Sequence, residues 1–257
     1  MTDDELRIVA AAMESIGRNC EVGLVQRHFG LEPHGLLRFA HAPRTALMRG
    51  LELGFRGIGE NLTLHDDGRE WLGEWNGLDF HLNEPLATSA YTTQARVGPI
   101  LDRLGERLIE DIQAARKLLV YADIDGMTRG EAIELHDAVR AIGPASLLVV
   151  TQDIMRPGHI EALRPGLFVG HVERLTPWNA AIDLDIGGWR ELLAEVPRHW
   201  RPAPLDAPHL AHQAMAARAS LMWVADRLPD DAGEARSALG HAAMLIGEVE
   251  SALRGAG

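Results

Sequence analysis

The chain has 257 residues, 46% of them hydrophobic, one cysteine and a formal net charge of −12. The acidic balance argues against nucleic acid as a partner, since binding phosphates requires a basic surface, and one cysteine excludes an intrachain disulfide. Because the first residues are acidic and no apolar run approaches the roughly 20 residues of a transmembrane helix, we expect a cytoplasmic protein without a membrane span.

The first part of the chain shows the patterns of short helices and strands. An apolar segment at residues 6–14 fits either a strand or a helix. The other predicted elements are helices at 21–29 and 44–53 and strands at 61–64, 71–72 and 77–82. The last of these strands alternates apolar and polar residues, which is typical of a half-buried strand.

The middle of the chain shows a pattern of alternating helices and buried strands. Helices are predicted at 101–115 and 129–142, and strands at 118–121, 147–150 and 166–172. The first two of these strands and the helix between them form a βαβ-like unit, so the two strands are expected to be parallel neighbours. This pattern predicts an α/β, or mixed α+β, fold.

The C-terminal part is predicted to be helical and separate from the rest. Four prolines crowd residues 197–208, which indicates a linker. Helical patterns at 209–228 and 232–253 predict a helical hairpin, whose apolar stripe would pack on the main body or form a homodimer. The predicted domains are therefore an α/β domain over 1–196, the linker, and the hairpin over 209–257.

The lone cysteine, Cys20, follows a Gly-Arg-Asn turn and opens the helix predicted at 21–29. The partial positive charge of a helix N-terminus lowers the pKa of a thiol, and the free backbone N–H groups there stabilise an oxyanion. This position predicts a nucleophile. The alternative is a buried Cys20 that acts only as a small hydrophobic side chain.

A cysteine hydrolase also needs an imidazole that activates the thiol and a third group that orients the imidazole. His81, on the strand predicted at 77–82, is the favoured base. His34 and His65 are the alternatives. Either Asp123 or Asn83 would orient the ring.

Asp123 and Asp125 follow the buried strand at 118–121, and strand ends commonly carry functional residues in α/β folds. Both aspartates alternatively cap the next helix. The pair also resembles the first motif of the haloacid-dehalogenase-type phosphatases and the metal site of one glycosyltransferase class. That resemblance implies metal-dependent phosphoryl or glycosyl transfer, although Met127 stands where the phosphatases have threonine.

The segment at residues 15–23, Ser-Ile-Gly-Arg-Asn-Cys-Glu-Val-Gly, resembles an uncharacterised bacterial group similar to the papain-like cysteine peptidases. Gln26-Arg27 and the run Gly-Leu-Leu-Arg-Phe at 35–39 extend the resemblance. It implies Cys20 as the nucleophile and His81 as the base. The resemblance is close over residues 15–40. Over residues 60–170 only the order of strand, histidine, helix and strand agrees.

The sequence differs from papain-type enzymes at one position that matters for the oxyanion hole. Those enzymes carry a glutamine six residues before the cysteine that completes the oxyanion hole, and here Glu14 stands there. Asn19 and Gln26 are the replacement candidates. Arg27 and Arg38 also match the bacterial group and are expected to contact the substrate.

Together these observations predict a mixed α/β fold, with a papain-like or three-layer core and an appended C-terminal helical hairpin. The expected function is a thiol hydrolase or acyltransferase that acts on an amide, ester or thioester of a small-molecule, peptide or glycan-linked substrate. A link to polysaccharide biosynthesis is expected from the relatives. No metal or other cofactor is expected. The alternatives are a non-catalytic binding or assembly protein and the metal-dependent transferase.

Overall fold

The computed structural model describes residues 1–176, 184–201, 218, 221–222, 225 and 232–255. The chain divides into two compact units, Met1–Pro202 and Ala203–Gly257. The division falls within the predicted linker, although Pro197 itself lies in the last turn of a helix.

The first unit contains six described helices and nine described strands. The helices are α1 (Asp3–Ala11), α2 (Glu21–His28), α3 (Arg44–Leu53), α4 (Ala90–Ala114), α5 (Arg129–Ile142) and α6 (Ile186–His199). The strands are β1 (Met13–Ser15), β2 (Ala40–His41), β3 (Thr63–Asp66), β4 (Glu70–Trp75), β5 (Leu78–Pro85), β6 (Leu118–Ala122), β7 (Ser146–Gln152), β8 (Ile160–Arg164) and β9 (Leu167–Val172). In the second unit, helix α7 spans Gly233–Gly255.

A five-stranded sheet in the order β1-β6-β7-β9-β8 forms the centre of the first unit. Its first four strands are parallel, and β8 runs antiparallel to β9. The predicted parallel pairing of the strands before and after α5 is confirmed. Both faces of β6 are buried, which explains its continuous apolar run.

Apolar clusters cover both faces of this sheet. Leu118 and Val120 of β6 pack with apolar residues of α1, α2 and α6. Leu119 and Tyr121 point to the other face and pack with residues of α3, α4 and α5. Because successive side chains of a strand point to opposite faces, β6 contributes to both apolar clusters. The predicted mixed α/β class is confirmed.

A second, antiparallel sheet has the order β2-β5-β4-β3. Leu78 and Phe80 of β5 are buried in the apolar cluster on the α5 side of the first sheet, whereas Asp79 and His81 alternate with them and are exposed. Asn76 and the residue after it both have positive φ in the turn between β4 and β5, as the type I′ turn of a two-residue hairpin requires.

Several elements differ from the sequence-based expectations. Residues 6–14 form the end of α1 and the start of β1 rather than one element, and α4 begins at Ala90, well before the predicted start, where Ser89 caps it. Strand β8 and helix α6 were not expected. The second helix of the predicted hairpin corresponds to α7, whereas the first falls largely outside the described residues, so the hairpin stays a prediction.

Among the helices that the structure describes, none has a stretch long and apolar enough to cross a membrane.

Candidate functional site

Strands β1, β6, β7 and β9 are parallel and end at one edge of the five-stranded sheet, which we call the carboxyl edge. In α/β folds this edge commonly holds the functional site. The segment that follows β1 carries Asn19 and Cys20, and the segment that follows β6 carries Asp123. The structure therefore brings these three predicted residues to the same edge.

Gly17 packs directly on the end of β6. A Cβ atom added at Gly17 would lie 2.8 Å from the backbone nitrogen of Ala122, closer than side chains approach in proteins. Only glycine fits without a shift of backbone, so this contact sets the path of the chain from β1 to Cys20.

Substituting Gly17 with alanine is expected to destabilise the protein by about 1–3 kcal/mol, because the new methyl group meets backbone that has no room to move. Gly130→Ala is the matched control, since its Cβ would meet nothing closer than 4.0 Å. Urea unfolding of both variants measures the difference. Equal stabilities would contradict the close contact at Gly17.

Arg18 holds this segment against the end of β6. Its Nη1 lies 2.9 Å from Oδ1 of the buried Asp123, and its Nη2 pairs with Asp125, which is exposed. Burial disfavours the charge of Arg18, but the two carboxylates outweigh it and raise the pKa of the guanidinium. Asp123 Oδ1 also accepts the backbone N–H of Asp125 at 3.1 Å.

Cys20 lies at the N-cap of α2, as predicted, but its side chain makes no capping hydrogen bond. Asn19 takes that role, because its Oδ1 accepts the backbone N–H of Glu21 at 3.1 Å. The Cys20 thiol is partly buried, and burial raises its pKa more than nearby Arg27 lowers it. Burial of the thiol therefore opposes the lowering of its pKa that is expected from the helix N-terminus.

Glu21 anchors the start of α2 through long-range contacts. It is 2% exposed; its Oε1 accepts Trp189 Nε1 of α6 at 2.9 Å, and its Oε2 accepts the backbone N–H of Thr176 at 3.0 Å. Burial raises the pKa of Glu21, and these hydrogen bonds oppose the rise. The glutamate of the sequence motif thus joins α2 to α6 and to the segment after β9.

Gln26 was expected to donate to an oxyanion, and its contacts argue against this. The residue is buried in α2, and its amide nitrogen donates to the carbonyl oxygens of Ala10 and Met13, both at 3.1 Å. Both N–H groups of a primary amide are then engaged. Gln26 joins α2 to α1 and β1.

Arg38 and Arg27 were expected to contact substrate, and both are engaged within the protein. Arg38 is buried and donates to Glu32 Oε2 at 2.6 Å. Its other acceptors are the carbonyl oxygens of Gly23, Leu31 and Pro33. Arg27 pairs with the other oxygen of Glu32 at 2.7 Å, and both guanidinium groups lie over the ring of Phe39. These contacts assign both arginines to the packing of α2 on the segment that follows it.

The structure does not pair His81 with the cysteine. His81 lies on the exposed face of β5, and its Nδ1 is 2.9 Å from Glu70 Oε1. No histidine is among the charges that shift the pKa of Cys20. Asp123, the expected orienting group, is bound to Arg18 instead of to an imidazole.

Two of the other expected residues, His65 and Asn83, are exposed on the antiparallel sheet. His65 is exposed on β3, opposite Leu72 of β4, and Asn83 is exposed on β5 with a φ of 54°. Desolvation lowers the pKa of His34, and the charges of two arginines lower it further.

The described residues contain no group of three His, Cys, Asp or Glu side chains that could hold a metal ion. The carboxylates of Asp123 and Asp125 share the guanidinium of Arg18, which offsets one of their two negative charges. Asp185 caps α6 by accepting the backbone N–H of Gly188 at 3.0 Å.

Sequence reasoning missed Gln152, which holds the carboxyl edge together. Its Nε2 donates to the carbonyl oxygen of Ile124 at 3.1 Å, and its Oε1 accepts the N–H of Leu175 at 2.9 Å. It thereby joins the end of β7 to the segments after β6 and β9. Nothing in the local pattern marks this glutamine, because both partners are distant in sequence.

Alkylation of Cys20 by iodoacetamide in the folded protein is expected to be slow at pH 7 and to accelerate through pH 9 and above. Only the thiolate reacts, and its pKa is raised above the ordinary value of 9.0. His81→Ala should leave the rate unchanged, because His81 is bound to Glu70. Intact mass spectrometry measures the rate, and fast labelling that persists at pH 6 would contradict the raised pKa.

Comparisons of the chain with protein-family models, with curated proteins and with solved structures find no match.

Proposed function

We propose that the protein is a thiol-dependent acyl-transfer enzyme, a hydrolase or an acyltransferase, whose nucleophile is Cys20. One observation carries the proposal. Within residues 17–21, the neighbours of Cys20 are each fixed to another element or to the helix start. The Cys20 thiol is partly exposed and forms no hydrogen bond with the residues that the structure describes. Such a rigid frame around one free reactive group is what a preorganised nucleophile requires.

The proposed chemistry begins from a neutral thiol. The thiol gives its proton to solvent, and the sulfur adds to a carbonyl carbon to form a tetrahedral oxyanion. When the oxyanion collapses, the leaving group departs with the bonding electron pair and takes a proton from solvent. Water or another acceptor then adds to the thioester carbonyl carbon, and the sulfur departs as a thiolate that solvent reprotonates. Because Asn19 occupies the N–H of Glu21, the N–H groups of Cys20, Val22 and Gly23 are the candidate oxyanion donors.

The resemblance to papain-like peptidases supports this proposal at the nucleophile only. A papain-like core and the role of His81 as base do not gain support from the contacts described above. The substrate class follows from the thiol chemistry and comprises amides, esters and thioesters. A glycan-linked acyl group, suggested by the same resemblance, belongs to this class.

The proposal is tested by hydrolysis of p-nitrophenyl acetate at pH 8. Cys20→Ser is expected to lower the enzymatic rate at least about a hundredfold, as removal of a nucleophile does, while His81→Ala retains it. Thermal unfolding of both variants shows whether the fold is kept. Equal rates in the wild-type protein and a folded Cys20→Ser variant would reject the proposal.

A second candidate is a non-catalytic binding or assembly protein. Two observations favour it: burial raises the pKa of the Cys20 thiol, and the polar motif residues Glu21, Gln26 and Arg38 are all buried in structural contacts. This candidate expects no hydrolysis above the buffer rate. The hydrolysis assay therefore separates the two.

A further inference from the structure

Glu14 places a carboxyl group inside the protein without a hydrogen-bond partner. The residue lies in the middle of β1 and is 7% exposed. Its carboxyl group forms no hydrogen bond or ion pair with the residues that the structure describes. Burying an ionised carboxyl group without a partner is far more costly than burying a neutral one. The packing around β1 is therefore suited to a neutral Glu14.

The segment between α2 and β2 covers this carboxyl group. A Cβ atom added at Gly35 would overlap Oε1 of Glu14, so the backbone of Gly35 lies directly against the carboxyl group. Residues 31–35, which we call the covering loop, form no helix or strand, and each of them is half-buried or exposed. The covering loop therefore separates the Glu14 carboxyl group from solvent on this side by a single layer of chain.

Arg38 holds the covering loop in place. Its Nη1 donates to Glu32 Oε2 at 2.6 Å and to the carbonyl oxygen of Pro33 at 3.2 Å, and its Nη2 donates to the carbonyl oxygen of Leu31 at 3.0 Å. The Nε of Arg38 is buried and has no hydrogen-bond partner among the described residues. Three of the polar contacts of the covering loop thus come from one buried side chain.

The charged groups that act on Glu14 come from three parts of the chain and are engaged with other partners. They are Lys117 before β6, Arg107 and Asp111 of α4, and Arg38. Lys117 donates to the carbonyl oxygen of Ala11 at 2.6 Å, and Arg107 Nε lies 3.9 Å from Asp111 Oδ2. An ionised Glu14 would therefore have to take a partner from an existing contact or reach water.

Glu14 changes its charge near neutral pH. Burial raises the pKa of its carboxyl group to about 7, and Asp111 adds to the rise, whereas the three cations oppose it. Burial and the charges of Arg107 and Arg38 lower the pKa of His34, so this histidine of the covering loop stays neutral from pH 7 upward. Because hydration favours the ionised form of a carboxyl group, displacement of the covering loop favours the ionisation of Glu14.

We propose that Glu14 is a pH-sensitive switch: its neutral carboxyl group lets the covering loop close on β1, and its ionisation above neutral pH releases the loop. The release also takes Glu32 away from Arg27, whose Nε it binds at 2.7 Å. The charge of Arg27 favours the thiolate of Cys20, and it acts more strongly once the carboxylate of Glu32 has left. This switch does not depend on acyl-transfer chemistry at Cys20.

Limited proteolysis by thermolysin, which cleaves before large apolar residues, measures the release. The covering loop and its end offer Leu31, Leu36 and Leu37. The wild type is compared with Glu14→Gln and with Glu110→Gln, an exposed glutamate on α4, at pH 5.5 and pH 8.5. Rates are compared between proteins at the same pH, so that the pH dependence of the protease cancels. Peptide mass maps the first cleavage, circular dichroism shows that each variant is folded, and iodoacetamide labelling of Cys20 is followed in the same samples.

Between pH 5.5 and pH 8.5, the cleavage rate within residues 30–37 of the wild type relative to Glu14→Gln is expected to rise at least about tenfold, because ionisation favours the open loop. At pH 8.5, Cys20 of the wild type should be alkylated at least about twofold faster than that of Glu14→Gln. Glu110→Gln should match the wild type in both measurements.

Equal cleavage of the wild type and Glu14→Gln at both pH values overturns the proposal. First cuts that are spread over the buried strands β6 and β7 overturn it as well, because they indicate global unfolding instead of a released loop. Faster cleavage of the wild type with equal alkylation rejects the connection from the covering loop to Arg27 and Cys20.

Discussion

Glu14→Gln is expected to gain stability relative to the wild-type protein as the pH rises, by about 3 kcal/mol between pH 4.5 and pH 8. Glu14 lies on β1 and is 7% exposed. Burial raises the pKa of its carboxyl group from the ordinary value of 4.5 to about 7, although the nearby charges of Lys117, Arg107 and Arg38 oppose the rise.

The direction of this stability change follows from the linkage between protonation and folding. A folded pKa above the unfolded value means that the folded protein prefers the neutral carboxyl group. The contribution of Glu14 to stability is therefore fully present below pH 4.5 and is lost as the pH rises through about 7. Glutamine stays neutral at every pH, so the variant lacks this loss.

His136 acts in the opposite direction over part of the same range. Burial, with the charges of Arg164 and Arg140, lowers the pKa of His136 from 6.5 to about 4. Its contribution is present above pH 6.5 and is lost as the pH falls through about 4. The wild-type profile thus combines two opposing titrations, and the difference between wild type and Glu14→Gln isolates one of them.

Urea unfolding at pH 4.5, 6, 7 and 8 measures this difference. Glu110→Gln, an exposed glutamate on α4, is the matched control and should run parallel to the wild type. A Glu14→Gln profile that also runs parallel to the wild type would contradict a buried carboxyl group that titrates near neutrality.

Glu21→Ala is expected to destabilise the protein by about 2–4 kcal/mol. The substitution removes the acceptor of the buried Trp189 Nε1 and of the Thr176 N–H, and hydrogen bonds to a charged group contribute about 1.5–3 kcal/mol each with partial overlap. The substitution also removes the hydrogen bond that joins α2 to α6.

Glu21→Gln separates the hydrogen bonds from the charge. Its side-chain oxygen keeps one acceptor for Trp189 or Thr176, and it removes the unfavourable burial of a carboxylate. We therefore expect a loss smaller than that of alanine, measured by the same unfolding experiment. Equal losses for both variants would show that the carboxylate charge, not the hydrogen bonding, stabilises the start of α2.

The elements with strong local signals were predictable from the sequence. Helix α5 has the predicted bounds, since Thr128 and Glu131 form a capping box before an apolar stripe. The apolar runs of β6 and β7 identified buried parallel strands. Strand β8 was not predicted because it lies at the edge of the sheet, where its five residues show only a weak alternation between buried and exposed positions.

The position of Cys20 was predictable, but its chemistry was not. The turn and helix around it are local features, whereas its raised pKa depends on burial by the tertiary fold. The contacts that hold the neighbours of Cys20 also join residues far apart in the sequence. Arg18 pairs with Asp123, 105 positions away, and Glu21 binds Trp189, 168 positions away. Sequence patterns of short range carry no record of such contacts.

The nucleophilic role of Cys20 is tested most directly by the mass of the protein after a brief reaction with p-nitrophenyl acetate at pH 8, followed by acid quenching and peptide mapping. We expect one acetyl group, carried by Cys20 and absent from Cys20→Ser. An unmodified Cys20, or acetylation only at other residues, would contradict a nucleophilic role for this cysteine.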